Sequence, residues 1–295
     1  MSNPTDPRRV HPSTYFVPDR SNQEEFSRIQ FQDKLVTSIM GGVLPEQPEP
    51  ITFQRVLDVG CGSGDWLIET AKTYPSISLL VGVDANERLI AYARTQAAAQ
   101  QVSDRVEFHT MDALQMLEFP DNYFDLINQR FAWSFLRTWE WPHLLQEYQR
   151  VTRRGGIIRI TEADIYLDAR ETSPALSRIA ELLLSAFYQA GHFFTQEGNG
   201  VSSQLTRLLR QYGFQDVQER PYTFAYPASV PEGQFLAENT KHLFRTVLPF
   251  LRKWTQVPDD YEAIYQQGLL ETQQPNFVAN WSFLTAWGKN PAKKA

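Results

Sequence analysis

The chain has 295 residues, 42% hydrophobic and 13% aromatic, a formal net charge of −6 and one cysteine. That is enough apolar material for one large domain, or one domain with a sizeable insertion, and the acidic balance disfavours a nucleic-acid partner. Cys61 alone excludes an intrachain disulfide and fits a reducing compartment.

Residues 1–20 are proline-rich and read as extended. The opening MSNPTDPRRVHPSTYF has no apolar stretch of signal-peptide length, and no run approaches membrane-spanning length. The expectation is a cytoplasmic protein with no membrane or nucleic-acid partner and no metal. Residues 22–40 read as an amphipathic helix, with Phe26, Ile29, Leu35 and Ile39 in an approximate stripe. GGVLPEQPEP then breaks it.

From residue 55 strands and helices alternate. RVLDVG is a short apolar strand, followed by a helix carrying Leu67, Ala71 and Tyr74 on one face. LLVGVDA (79–85) is a second strand. ERLIAYARTQAAAQQ is a helix with Asn86 as its N-cap. VEFHTMD (106–112) and YFDLINQRF (123–131) are the third and fourth strands. PHLLQEYQRVTRRGG is a helix opening at Pro142 and stopping at Gly155-Gly156, and IIRITEAD (157–164) is the fifth strand. Such alternation predicts a parallel sheet covered on both faces. In the second half, residues 174–190 and 202–214 read as helices, QDVQERPYTFAY as a strand, 232–271 as aromatic-rich helices, and 278–290 as a closing strand. The roughly 50 residues between the last two strands exceed an ordinary connection. They read as a substrate-covering lid or as helical packing on the sheet edge.

The glycine cluster in VLDVGCGSGDW carries the strongest signal. Gly60, Gly62 and Gly64 give G-x-G-x-G, not the G-x-G-x-x-G of a dinucleotide loop. Asp58, two residues before the first glycine, would repel a pyrophosphate there and attract a cation. An NAD-dependent oxidoreductase is therefore disfavoured.

The stretch 55–164, and D-V-G-C-G-S-G above all, resembles the class I S-adenosylmethionine-dependent methyltransferases, of the small-molecule type related to ubiquinone and menaquinone biosynthesis. Their cofactor carries an ammonium and a sulfonium and no phosphate. The resemblance implies that Gly60, Gly62 and Gly64 approach the methionine part, that Asp58 lies near its amino group, and that Cys61 fills a small slot without acting as a nucleophile. It implies that Asp84, followed by Ala85, accepts both ribose hydroxyls; alternatively Asp84 begins the next helix with Asn86. Asp112 would take the adenine amine and Ala113 would offer its N–H to the ring, unless Asp112 caps the turn after it. Gln129 and Arg130 are candidates for the methionine end; Arg130 could instead anchor Asp125 or a surface acid. Tyr15, Pro18, Asp19, Arg28 and Gln32 match a segment that, in a subset of the family, lays a helix over the cofactor, with Arg28 among its contacts; Asp33 stands where that subset has His. The fold implied is a doubly wound, seven-stranded Rossmann-like α/β sheet with its last strand antiparallel. Residues 1–50 would be an N-terminal extension with the covering helix, and 51–295 the methyltransferase domain with helical insertions at about 168–200 and 230–275.

Methyl transfer is an in-line displacement in which the protein mainly aligns the nucleophile. A hydroxyl or carbon acid also needs a base; Glu162, His192 and Asp164 are candidates, and an amine or carboxylate acceptor needs none. Trp133, Phe194 and Tyr222, with Phe131, Trp139 and Phe193, read either as core or as a pocket for a bulky apolar small-molecule acceptor, as in secondary metabolism. NQRFAW replaces the Asn/Asp-Pro-Pro-aromatic motif of nucleic-acid methyltransferases. A non-catalytic cofactor- or partner-binding protein is the other class in play, and a monomer or homodimer is expected.

Overall fold

In this computed structural model the described residues are 23–164, 169, 171–197, 199–227, 229–230, 233–234, 243–244 and 246–291. The strands are β1 (Arg55–Val59), β2 (Leu79–Asp84), β3 (Val106–Thr110), β4 (Phe124–Arg130), β5 (Thr152–Ala163), β6 (Gln215–Pro227) and β7 (Val278–Lys289). The helices are α1 (Gln23–Met40), α2 (Asp65–Thr73), α3 (Glu87–Ala99), α4 (Trp141–Val151), α5 (Pro174–Gln189), α6 (Leu205–Gln211), α7 (Leu248–Trp254) and α8 (Tyr261–Thr272).

The strands form one sheet in the order β3-β2-β1-β4-β5-β7-β6. Neighbours from β3 to β5 pair in parallel, whereas β7 runs antiparallel to both β5 and β6. This is the doubly wound seven-stranded fold expected. The order reverses between β1 and β4, so the crevice lies beyond the carboxyl ends of those strands. Helices on both faces explain why β1, β2 and β4 are buried almost throughout rather than alternating. Gly82, in the middle of β2, is a packing residue: an added methyl would sit 2.6 Å from Phe108 of β3 and 2.8 Å from Leu67 of α2. Its bare backbone lets both side chains close over the sheet. Among the described residues, no helix is long and apolar enough to cross a membrane.

The start of β5 differs from the expectation. The helix stops at Val151, not at Gly155-Gly156, and the chain is extended from Thr152. Asp125 is the cause. One of its oxygens accepts Gln54 N and Arg55 N at 2.7 Å each, and the other pairs with Arg153. That draws the segment alongside β4. Gly155, at φ +70°, and a register shift from Phe124↔Thr152 to Leu126↔Ile157 absorb the excess length.

α5 packs on α7 and α8 over the sheet, filling much of the two stretches expected to be insertions. Ser173 Oγ donates to Glu271 at 2.5 Å, and Gly268 lets α8 approach Leu176 of α5.

A chain of polar groups crosses the other face. Asp58 accepts from Asn128 Nδ2 at 2.7 Å, Arg159 donates to Asn128 Oδ1 at 2.5 Å, and Arg159 Nε donates to Glu46 at 2.6 Å. The Arg159 and Glu46 side chains are 0% and 1% exposed. An arginine in a central strand is tolerated only because the segment after α1 supplies this carboxylate. Arg159→Met leaves Glu46 buried without its cation and is expected to lower stability by about 3–5 kcal/mol. Urea unfolding checks this; the double variant E46Q/R159M is expected to recover most of the loss.

Candidate active site

The loop after β1 is shaped for close approach. Gly60, Gly62 and Gly64 have φ of +71°, +55° and +78°, where an L side chain is strained. The amides of Gly60 and Cys61 both bond to Val83 O, at 2.8 and 3.0 Å. A methyl on Gly60 would lie 3.4 Å from the Phe135 ring, and one on Gly62 3.4 Å from Ile29 of α1. Phe135 and Ile29 therefore wall this loop, a role the sequence did not signal for Phe135. Burial, then the nearby Asp84 and Asp58, push the Cys61 thiol up, so it stays protonated.

Three carboxylates stand at successive strand ends. Asp84 closes β2; one oxygen accepts Gly62 N at 3.0 Å and the other Asn86 N at 2.8 Å. Asn86, not Asp84, caps α3, accepting Arg88 N at 3.0 Å. Asp84 thus ties the glycine loop to the start of α3, with Ala85 exposed beside it. Asp112, after β3, accepts Leu114 N at 2.9 Å and so does cap its turn; Ala113 beside it is buried. Asp58 lies deepest, and burial pushes its carboxyl up to about 7 against the opposing pull of Asn128 and Arg159.

The end of β4 splits. Successive strand residues face opposite sides of a sheet, so Asn128 and Arg130 point toward α1 and Gln129 toward α4. Gln129 is buried, accepting from Tyr148 Oη at 2.5 Å and donating to Glu162 at 3.2 Å. The structure therefore separates Gln129 from the crevice where it was expected beside Arg130. Arg130 pairs with Asp33 of α1 and donates to Thr37 Oγ1 at 3.3 Å. Its alternative partner, Asp125, is held by Arg153 and two backbone amides instead. The side chain of Arg28 is outside the described residues, as are Tyr15, Pro18 and Asp19.

Glu162 and His192 are both fully buried. Glu162 accepts Ala132 N at 2.9 Å, Trp133 N at 3.1 Å and Gln129. Burial pushes its carboxyl up to about 8, against those donors. His192 Nδ1 lies 3.0 Å from Trp133 O and 2.9 Å from Leu136 O, which makes it the protonated nitrogen. Burial and Arg137 lower the ring to about 4, so it is neutral. Both side chains grip the loop after β4 rather than standing open to a ligand. Asp164 accepts from Ser202 Oγ at 2.5 Å, and burial raises its carboxyl.

The expected aromatic pocket is divided. Trp133 packs on Phe187 and Phe193, with ring centroids 5.2 and 6.1 Å away, and Phe194 lies against the same core. Trp139 is largely exposed. Tyr222 stacks on Phe283 at 5.0 Å, and the contacts continue through Trp281 to Phe131 at the end of β4. The Tyr222 hydroxyl is buried with no hydrogen-bond partner among the described residues. The Tyr222 side chain borders a groove of about 470 Å³ between Leu35, Ser38 and Ile39 of α1 and Pro221–Phe224 of β6.

Residues 56–156 match the methyltransferase domain family. The chain is 27% identical over 187 residues to a demethylmenaquinone methyltransferase of Geobacillus kaustophilus, covering 59% of this chain and 76% of that one. It is 21% identical over 276 residues to the N-methyltransferase tcpN of Claviceps purpurea, covering 91% and 95%. In fold it is similar to YcgJ of Bacillus subtilis, with a TM-score of 0.50 at 17% identity over 81% of this chain and 92% of that one. A chain from the complex of the Haloferax volcanii Trm112 methyltransferase activator with a methyltransferase gives a TM-score of 0.53 at 17% identity, over 90% and 95%. A glycine loop flanked by carboxylates, on a sheet where among the described strands only β7 runs antiparallel to the rest, agrees with the match of residues 56–156 to the methyltransferase domain family and supports a class I S-adenosylmethionine-dependent methyltransferase.

Proposed function

We propose that this protein methylates a small molecule, with the cofactor held across the ends of β1, β2, β3 and β4. The observation that carries the reading is the setting of Asp84. Its two oxygens accept the amides of Gly62 and Asn86, which fix the carboxylate at the end of β2 beside the glycine loop. A carboxylate so placed is the acceptor that a vicinal diol such as ribose calls for. Asp112 and Ala113 would receive the adenine, Gly60 and Gly62 the methionine chain, and Asp58 its ammonium. The cofactor supplies a methyl group on a positively charged sulfur that leaves readily.

The protein's own contribution is alignment. Glu162 and His192 read best as positioning residues. Together they hold the backbone at residues 132, 133 and 136, which carries Phe135 over Gly60. No general base is assigned to either. The groove beside Tyr222 mixes apolar side chains (Leu35, Ile39, Phe224) with polar surface from Ser38, Thr223 and backbone, and supports a small acceptor that carries both kinds of group. The names of the relatives, which span a quinone-type and a nitrogen acceptor, leave the methylated atom open.

Titration calorimetry is expected to show S-adenosylmethionine uptake and none of NAD. Asp84→Asn is expected to weaken that uptake roughly ten- to a hundredfold, the cost of hydrogen bonds to an ionised acceptor. Equal uptake of NAD would sink the reading. Transfer of a labelled methyl group into a metabolite extract tests the activity itself.

A second expectation concerns pH. The folded state holds the Glu162 proton to about pH 8, whereas the ordinary value is 4.5. A carboxyl raised on folding binds protons more tightly in the native chain. Its contribution is full below pH 4.5 and is lost as pH rises through 8. Melting temperature should therefore fall between pH 5 and pH 8. Glu162→Gln, which cannot ionise, should flatten that slope; an unchanged slope would assign the pH response elsewhere.

A further inference from the structure

The pairing of Arg130 has a consequence for the cofactor, given the reading above. Arg130 ends β4 with its side chain 8% exposed, and its guanidinium lies 5.8 Å from the ring of Trp66, two residues past Gly64. Its partner Asp33 sits one turn past Ile29, the α1 residue that borders Gly62, which puts Arg130 on the side where the methionine end of the crevice is proposed. Asp33 and Thr37, one turn apart on α1, occupy two of its nitrogens. Burial and the like charge of Arg159 both act against the Arg130 charge, so it needs an anion nearby. The anion present is on α1, the same helix whose Ile29 touches Gly62.

S-adenosylmethionine brings a second carboxylate to this end of the crevice. Two carboxylates around one guanidinium repel each other in a poorly solvated site. Either Asp33 gives way, or it stays and the cofactor carboxylate is bound less well. Both outcomes set the same sign. We propose that Asp33 is a specificity-determining residue: it stands in for the cofactor's amino-acid carboxylate at Arg130 and competes with it. Asp33 thereby lowers the crevice's preference for ligands that carry that group.

The test compares two ligands on the full-length protein by titration calorimetry: S-adenosylmethionine and its decarboxylated form. Asp33→Asn keeps a hydrogen-bond acceptor for Arg130 but removes the charge. It is expected to tighten S-adenosylmethionine on the order of tenfold, the scale of one charge-assisted hydrogen bond, and to leave the decarboxylated ligand unchanged. Arg130→Gln is expected to erase the discrimination between the two ligands and, combined with Asp33→Asn, to cancel the gain. If Asp33→Asn weakens both ligands alike, or changes neither, Asp33 is only a strut for α1 and the proposal falls. Asp33→Ser asks the same question should the Asn variant fail to fold. Failure here is distinct from failure of the broader reading. If Asp84→Asn still weakens binding while Arg130→Gln does not, the crevice stands and this proposal is lost. If the unaltered protein binds neither ligand, both are lost.

Discussion

Two guanidinium groups buried on one face of the sheet govern how the N-terminal segment sits on the domain. Arg130 and Arg159 occupy neighbouring central strands, and the sheet by itself offers them no ionised partner beyond the partly neutral Asp58. Each takes a carboxylate from the segment before β1: Asp33 on α1, and Glu46 on the connection after it. A buried cation without an anion costs several kcal/mol, so detaching α1 would expose or orphan both. α1 and the connection after it are thus each fixed by one ion pair, as well as by the apolar contacts of Val36 and Met40.

The tripeptide Asn128-Gln129-Arg130 distributes these demands between the faces. Asn128 joins Asp58 to Arg159 on the α1 side, and Gln129 joins Tyr148 to Glu162 on the α4 side. The first chain of bonds sets the environment of the acid nearest the glycine loop. The second, through Glu162, fixes the amides of Ala132 and Trp133 and with them the loop bearing Phe135. One strand therefore controls both walls of the crevice, because its side chains alternate.

The positions of Asp58, Asp84 and Asp112 were legible in the sequence because each ends a short apolar run, and the end of a parallel strand is a place that topology fixes. What the sequence did not carry is side-chain direction and partners distant along the chain. Glu162 sits at the strand end expected, yet its oxygens turn inward to backbone amides. Gln129 was placed beside Arg130 although adjacent strand residues part company. Glu46 lies in GGVLPEQPEP, which reads as a simple break, and only the buried Arg159 on β5 gives it a purpose. The start of β5 was missed because RRGG has the signature of a helix end, and the pull of Asp125, about 27 residues before Thr152 in the chain, outweighs it. Asp33, by contrast, was visible as a departure from the resemblance before its partner was known.

The groups assigned to the proposed crevice are already engaged with one another and with α1. Phe135 and Ile29 lie over the glycines, Asp33 holds Arg130, and Gly62 N and Asn86 N bond to Asp84. Some of these contacts assist a ligand, since an anchored Asp84 needs no reordering to accept a diol. On the proposed reading others oppose it, since Ile29 and Asp33 lie on the side assigned to the methionine chain. Binding is then an exchange of contacts rather than the filling of an open site, and its free energy is a difference between two well-packed states. Both opposing groups belong to α1, so the position of that one helix sets how large the difference is.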